Sequence, residues 1–239
     1  MNLFKRKKQI RPLENHPPLS EDDYYSRLFI SNPSWNKVEP NGDEQIRWNA
    51  IEKFIFYLRG FKKANGENSN LNILDLGCGR GWMVNLLSSH GNAQGIEPVK
   101  AVADFGSDLF PHLKIEAGTS KDLIQRGDKE KYHLVVCSEV IEHILDENKV
   151  DFVADVKTLL KDQGFLIITT PRKDIQDEWM KYSKPGQPVE DWIDEKSLQN
   201  LLEGQGFITH LLERCLMKPK KDAPELEIYQ VWLFQKSSL

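Results

Sequence analysis

Ten consecutive residues constrain this chain more than any others: Ile73-Leu74-Asp75-Leu76-Gly77-Cys78-Gly79-Arg80-Gly81-Trp82. An apolar run leads into three alternating glycines and then into a helical pattern. Glycine lacks the Cβ that disfavours positive φ, so the backbone there can turn sharply and approach a ligand closely. The helix that follows brings N–H groups with no partner inside its own first turn. Strand, tight turn and helix in that order read as the start of a parallel α/β sheet, with a ligand pressed against the strand's carboxyl end.

The rest of the chain repeats the pattern of short apolar runs alternating with amphipathic stretches. Strands are predicted at 72–76, 93–96, 114–116, 134–137, 165–169, 208–215 and 228–235. Helices are predicted from Asp43, as N-cap, to near Gly60, and over 82–90, 99–108, 140–160 and 195–203. No helix fits in the Pro219 to Pro224 loop, so the last two strands should form an antiparallel hairpin at one end of a seven-stranded, mostly parallel sheet with helices on both faces. Residues 1–44, with Pro12, Pro17, Pro18, Pro33 and Pro40, read as an extension wrapping the domain.

Composition narrows the partners. Lys plus Arg number 32 against 36 Asp plus Glu, a net charge of -4, so no basic field recruits nucleic acid. The cluster Lys5 to Lys8 reads as a solvated terminus. Cys78, Cys137 and Cys215 are widely spaced and suggest neither a disulfide framework nor a thiolate zinc site. No apolar run reaches the roughly 20 residues of a membrane span, and a cytoplasmic location is expected.

A dinucleotide fingerprint would place its third glycine where Trp82 stands, and no Tyr-x-x-x-Lys pair supports a nicotinamide oxidoreductase. Gly-x-Gly-x-Gly preceded by Asp75, with Glu97-Pro98 ending the next strand, instead resembles the class I S-adenosylmethionine-dependent methyltransferases. The resemblance spans residues 45–239 and implies a Rossmann-like domain. It implies that Gly77, Gly79 and Gly81, with Asp75, hold the methionine part of S-adenosylmethionine, and that Glu97 grips both ribose hydroxyls. A carboxylate can accept from two vicinal hydroxyls at once. Thr119 and Ser120 of Gly118-Thr119-Ser120-Lys121-Asp122-Leu123 are similar to the loop beside adenine, and Ser138 ends the fourth strand on the same side.

After that strand come Glu139, Glu142 and His143, predicted to share one helix face with Asp146. Glu-x-x-Glu-His resembles the motif of quinone-biosynthesis O-methyltransferases and of small-RNA 2′-O-methyltransferases. In the RNA enzymes a further histidine completes a metal site, and none occurs here between Ile144 and Thr209. The reading is therefore metal-free, with His143 as catalytic base and Glu142 or Glu139 orienting it. Residues 172–193, with Trp179, Tyr182, Pro185, Pro188 and Trp192, read as a lid that covers the acceptor together with Tyr24, Tyr25, Trp35 and Trp48. The expected function is methyl transfer to a small-molecule acceptor, at a hydroxyl oxygen. Phenol, quinol, sugar hydroxyl and carboxylate acceptors stay open, as do oligomeric state, RNA 2′-O-methylation and a cofactor-binding scaffold without turnover.

Overall fold

The computed structural model describes residues 19–66 and 70–238. The cluster Lys5 to Lys8 and prolines 12, 17 and 18 lie outside them. Seven strands, β1 (Leu71–Leu76), β2 (Gly91–Glu97), β3 (Lys114–Ala117), β4 (Tyr132–Ser138), β5 (Leu160–Pro171), β6 (Phe207–Met217) and β7 (Leu226–Lys236), form one sheet. Their order is β3-β2-β1-β4-β5-β7-β6. The first five run parallel, while β7 pairs antiparallel with both β5 and β6. The predicted hairpin thus closes one end of the sheet, with β7 inserted inside and β6 at the edge.

The helices are α1 (Glu21–Ser26), α2 (Gly42–Ala64), α3 (Trp82–Leu87), α4 (Lys100–Leu109), α5 (Ser120–Gln125), α6 (Asp146–Leu159), α7 (Gln176–Met180) and α8 (Glu195–Gly204). Successive strand residues face opposite sides, so the two faces of the sheet carry separate large clusters, with a smaller third of Cys78, Val84, Ala103, Phe110 and Ile115. Ile73, Leu134, Val136 and Leu233 belong to one cluster with Ile51, Phe54 and Leu58 of α2. Leu74, Val135, Ile168 and Phe234 belong to the other, with Val153 and Val156 of α6 and Leu198 and Leu202 of α8. Trp48, expected over the acceptor, is buried in the α2 cluster instead, beside the His90 ring. Among the described residues no helix is long and apolar enough to cross a membrane.

Two local expectations are corrected. The first long helix is capped by Asn41 rather than by Asp43 and runs to Ala64, one turn beyond Gly60. Asn41 caps it, accepting from the Glu44 N–H while the Glu44 carboxylate accepts from the Asn41 N–H. This reciprocal pair satisfies two orphan donors at once, and Asp43 falls inside the first turn. The predicted helix over 140–160 does not exist as one piece. A single tight turn spans Ile141–His143, the chain then extends through Ile144 and Leu145, and α6 begins at Asp146. Ile144 (φ -107, ψ 125) and Leu145 (φ -58, ψ 144) are extended, so no helix runs through them, and Glu139, just before the turn, carries the left-handed φ 58. The short α5 was not anticipated; Thr119 and Asp122 cap it reciprocally.

One buried ion pair ties the glycine turn to the preceding chain. Arg80 is 0% exposed and donates to both carboxylate oxygens of Glu44, at 2.6 and 2.8 Å, and to the carbonyls of Lys37 (2.6 Å) and Glu39 (3.2 Å). Removing one partner of such a pair leaves the other charge buried and uncompensated. Arg80→Ala should therefore cost about 3–5 kcal/mol, read as a lower urea midpoint, whereas Arg126→Ala, at a half-exposed surface pair, should shift the midpoint by less than about 1 kcal/mol.

Candidate active site

The strand order reverses between β1 and β4, since β1 leads outward to β2 on one side and β4 leads to β5 on the other. Open α/β sheets leave a crevice at that point, beyond the carboxyl ends of the strands. A cleft of about 740 Å³ lies there, lined by the ends of β1, β2 and β4, by Tyr24 to Trp35, and by residues 179–192.

Its floor is the glycine turn. Gly77 has φ 78 and Gly79 has φ 52, conformations that a side chain rarely adopts. A Cβ on Gly79 would stand 3.0 Å from the Phe29 ring, which roofs the turn. Asp75, Gly77, Gly79, Glu97, Thr119, Ser120 and Ser138 all line the cleft. Gly81 does not. It sits behind the wall as the left-handed N-cap of α3, where a Cβ would come within 2.3 Å of Ile115.

Glu97 links the turn to the next loop: one carboxylate oxygen accepts from the Gly79 N–H and the other from the Val99 N–H, each at 3.0 Å. Each oxygen retains a lone pair for a ligand. Burial pushes the Glu97 carboxyl up to about 7 despite those two donors. Asp75 is 2% exposed and its Oδ2 has no hydrogen-bond partner. Burial, reinforced by the neighbouring Glu97, pushes its carboxyl up to about 8. Thr119 is partly committed to capping, as its hydroxyl donates to Asp122 at 2.7 Å. Ser120 donates to Asp155.

The opposite wall follows β4. The broken helix sends Glu139, Glu142 and His143 along separate paths. Glu139 accepts from the Thr169 hydroxyl at 2.8 Å and lies 3.5 Å from Arg47. Glu142 is 2% exposed and accepts from Thr170, and burial raises its carboxyl above the usual range. His143 Nδ1 lies 2.9 Å from the Val189 carbonyl oxygen. A carbonyl only accepts, so in this contact Nδ1 carries the proton and Nε2 is the lone-pair nitrogen of the neutral ring. Nε2 is 3.8 Å from Glu142 Oε1. The orienting partner of His143 is therefore the Val189 backbone, and Glu139 does not reach it.

Arg47 escaped the sequence reading. It lies on α2 in register with Ile51, Phe54 and Leu58, and a charge inside a buried stripe was the available signal. It sits between Asp43 (3.4 Å) and Glu139, over the Tyr229 ring at 5.1 Å, and its Nε has no acceptor. A buried guanidinium with an open donor in a cleft is suited to an anionic group. Among the described residues no cluster of three His, Cys, Asp or Glu has metal-binding geometry.

The orphaned Asp75 sets a pH signature. Its folded value of about 8 lies above the ordinary 3.8, so the stability it contributes is complete below about pH 4 and is lost as pH rises to about 8. Asp75→Asn should accordingly gain melting temperature over the parent, with the gap widening from pH 4 to pH 8. A pH-independent gap would contradict an ionising, unpartnered Asp75.

The sequence profile of a methyltransferase domain family matches residues 47–211. The ubiquinone biosynthesis O-methyltransferase of Rickettsia bellii is 31% identical over 145 residues, 59% of this chain and 58% of that protein. The match thus spans little more than half the length of that curated relative. The 1,6-didemethyltoxoflavin-N1-methyltransferase of Burkholderia thailandensis, solved with bound 1,6-didemethyltoxoflavin and S-adenosylhomocysteine, superposes with a TM-score of 0.62 at 15% identity, over 93% of each chain. The magnesium protoporphyrin IX methyltransferase of Synechocystis PCC 6803, solved with S-adenosylhomocysteine, gives a TM-score of 0.61 at 14% identity, over 91% of this chain and 100% of that one. At such identities the structural likeness is one of fold. The profile match covers well over half of the sequence and coincides with the glycine turn, Glu97 and the β4 wall, and on that ground the chain belongs to the methyltransferase domain family.

Proposed function

We propose that this protein transfers a methyl group from S-adenosylmethionine to a hydroxyl oxygen of a small-molecule acceptor. The observation that carries the reading is a single cleft with an unfilled acceptor surface on one wall, Asp75 and Glu97, and a lone-pair imidazole nitrogen on the other. The residues present fit the cofactor. Asp75 Oδ2 is buried without a donor, Glu97 has a free lone pair on each oxygen, and Arg47 Nε lacks an acceptor. Hydroxyls, an ammonium and a carboxylate on one ligand would satisfy all three.

When bound, S-adenosylmethionine supplies a methyl on a sulfonium, whose carbon–sulfur bond breaks as the acceptor oxygen bonds to the methyl carbon, leaving S-adenosylhomocysteine. The protein's work is positioning and proton removal. Glu97 would hold the ribose hydroxyls, the turn from Gly77 to Gly79 and Asp75 would hold the amino-acid end, and Arg47 would offer its open donor to the carboxylate there. Thr119, Ser120 and Ser138 border the same surface. His143 takes the hydroxyl proton at Nε2, and Glu142 beside it stabilises the imidazolium that forms. Val189 keeps the ring in that tautomer. Glu139 steadies Arg47. The acidic lining supports a small acceptor over a nucleic-acid strand, whose phosphates it would repel. Residues 172–193 serve as a lid over the acceptor, opposite the N-terminal segment.

Glu97→Ala should weaken S-adenosylhomocysteine binding by about 1.5–3 kcal/mol, roughly tenfold to over a hundredfold by calorimetry. Because the Glu97 carboxyl titrates at about 7, binding by the parent should strengthen from pH 6 to pH 8 as the carboxylate forms. That dependence should flatten in Glu97→Gln. Gly79→Val should abolish binding, since the new side chain meets Phe29.

His143→Ala should lower kcat by about 100-fold to 10,000-fold, with S-adenosylhomocysteine affinity and melting temperature near those of the parent. A loss below about threefold would remove His143 from the proton transfer. Binding of the cofactor without turnover of any acceptor would favour the scaffold reading instead.

A further inference from the structure

Resting on the methyl-transfer reading above, we infer that the acceptor is a polyhydroxylated small molecule, a sugar or glycoside, gripped along its edge by carboxylates and across its face by aromatic rings.

The acceptor end of the cleft is where the N-terminal segment meets residues 179–192. Tyr25 stands edge-on to the His143 ring at 6.0 Å, and Tyr24 stands edge-on to Tyr25 at 5.3 Å. From the other side the chain passes Tyr24 at Gly186, where an added Cβ would lie 3.8 Å from the Tyr24 ring. It then supplies the Val189 carbonyl to His143 and places Glu190 and Trp192 on the cleft wall. Trp192 donates its indole N–H to Glu190 Oε2 at 2.6 Å, while Glu190 Oε1 is shielded from solvent and has no partner. Trp179 lines the same end.

Two features of this arrangement select a ligand. First, acceptors of hydrogen bonds outnumber donors. Glu21, Glu142 and Glu190 line this end of the cleft against Lys184 and His143, and Arg47 is already engaged with Asp43 and Glu139. A carboxylate only accepts, so a ligand that fills this end must bring several donors. A carboxylate acceptor brings none and is repelled, and a phenol brings one or two. A sugar ring brings a row of hydroxyls, one of which the reaction consumes. Second, the walls are aromatic. The C–H face of a pyranose is apolar and flat enough to lie on an indole or phenol ring, while its hydroxyls point outward in the ring plane. Tyr24 and Tyr25 keep their protons, because burial and then Glu190 or Glu142 respectively raise them. They can therefore donate to a ring oxygen. Burial also raises Glu190 and Glu142, although each already accepts one hydrogen bond, from Trp192 and Thr170 respectively.

The same features give discrimination. A site whose buried polar groups are satisfied by substrate hydroxyls rejects analogues without them, because the groups are left unpaired.

The full chain should be assayed with S-adenosylmethionine for S-adenosylhomocysteine release against methyl hexosides, catechols, benzoates and primary amines, with saturation-transfer NMR of each acceptor alongside. The expected result is kcat/KM for one or more hexosides at least 100-fold above every other class. Trp179→Ala and Glu190→Gln should each raise the hexoside KM at least tenfold and leave S-adenosylhomocysteine affinity within twofold. Trp179→Phe should restore most of the loss. Trp179 also packs against the core, so Glu190→Gln, nearly isosteric, carries the test if Trp179→Ala does not fold. Faster turnover of amines, catechols or benzoates overturns the inference, as does S-adenosylhomocysteine binding with no hexoside turned over. Failure to bind S-adenosylhomocysteine at all would instead overturn the methyl-transfer reading beneath it.

Discussion

The buried pair of Arg80 and Glu44 holds the cleft in shape. Taking two charges out of water is costly, and the cost is offset only when every donor and acceptor is used. Here the guanidinium meets both carboxylate oxygens and two backbone carbonyls. One Glu44 oxygen also closes the cap of α2. A single side chain inside the glycine turn thereby fixes the start of the first long helix and the segment from Lys37 to Glu39. The turn is left with one position, and Gly79 presents its N–H to Glu97.

From that position the electrostatics of the cleft follow. Asp75 and Glu97 are brought together at the ends of adjacent strands, with backbone donors for Glu97 and none for Asp75 Oδ2. Both carboxyls are pushed up by burial. The protein holds an arrangement that is unfavourable when empty and is relieved by a ligand rich in donors. Preorganisation of this kind places the reorganisation cost in folding rather than in binding.

The β4 wall depends on a break rather than on a helix. Had Glu139, Glu142 and His143 shared one helical face, their side chains would have projected together toward solvent. The left-handed Glu139 and the single turn that follows instead bury Glu142 against Thr170 and turn His143 toward Val189. Residues distant in sequence, Tyr25 on one side and Val189 on the other, then complete the surroundings of the imidazole.

The seven strands, their order of appearance, the terminal hairpin and the glycine turn were all legible in the sequence, because they rest on local signals: periodicity of apolar residues, glycine where φ is positive, and a connection too short for a helix. That Asp75, Gly77, Gly79, Glu97, Thr119, Ser120 and Ser138 would face one cleft was legible for the same reason, since they stand within a few positions of strand ends, whereas Gly81 falls behind the wall. Tertiary structure alone decided the rest. Amphipathicity over 140–160 could not reveal that the chain would extend through Ile144 and Leu145. Nothing local in Gly-Arg-Gly signals that Arg80 points backward into Glu44 rather than outward to a ligand. Trp48 and Tyr25 are both aromatic residues near the amino terminus, yet one enters the core and the other faces His143. Which of these occurs is set by what the folded chain places opposite each side chain, and that depends on contacts between residues far apart in sequence.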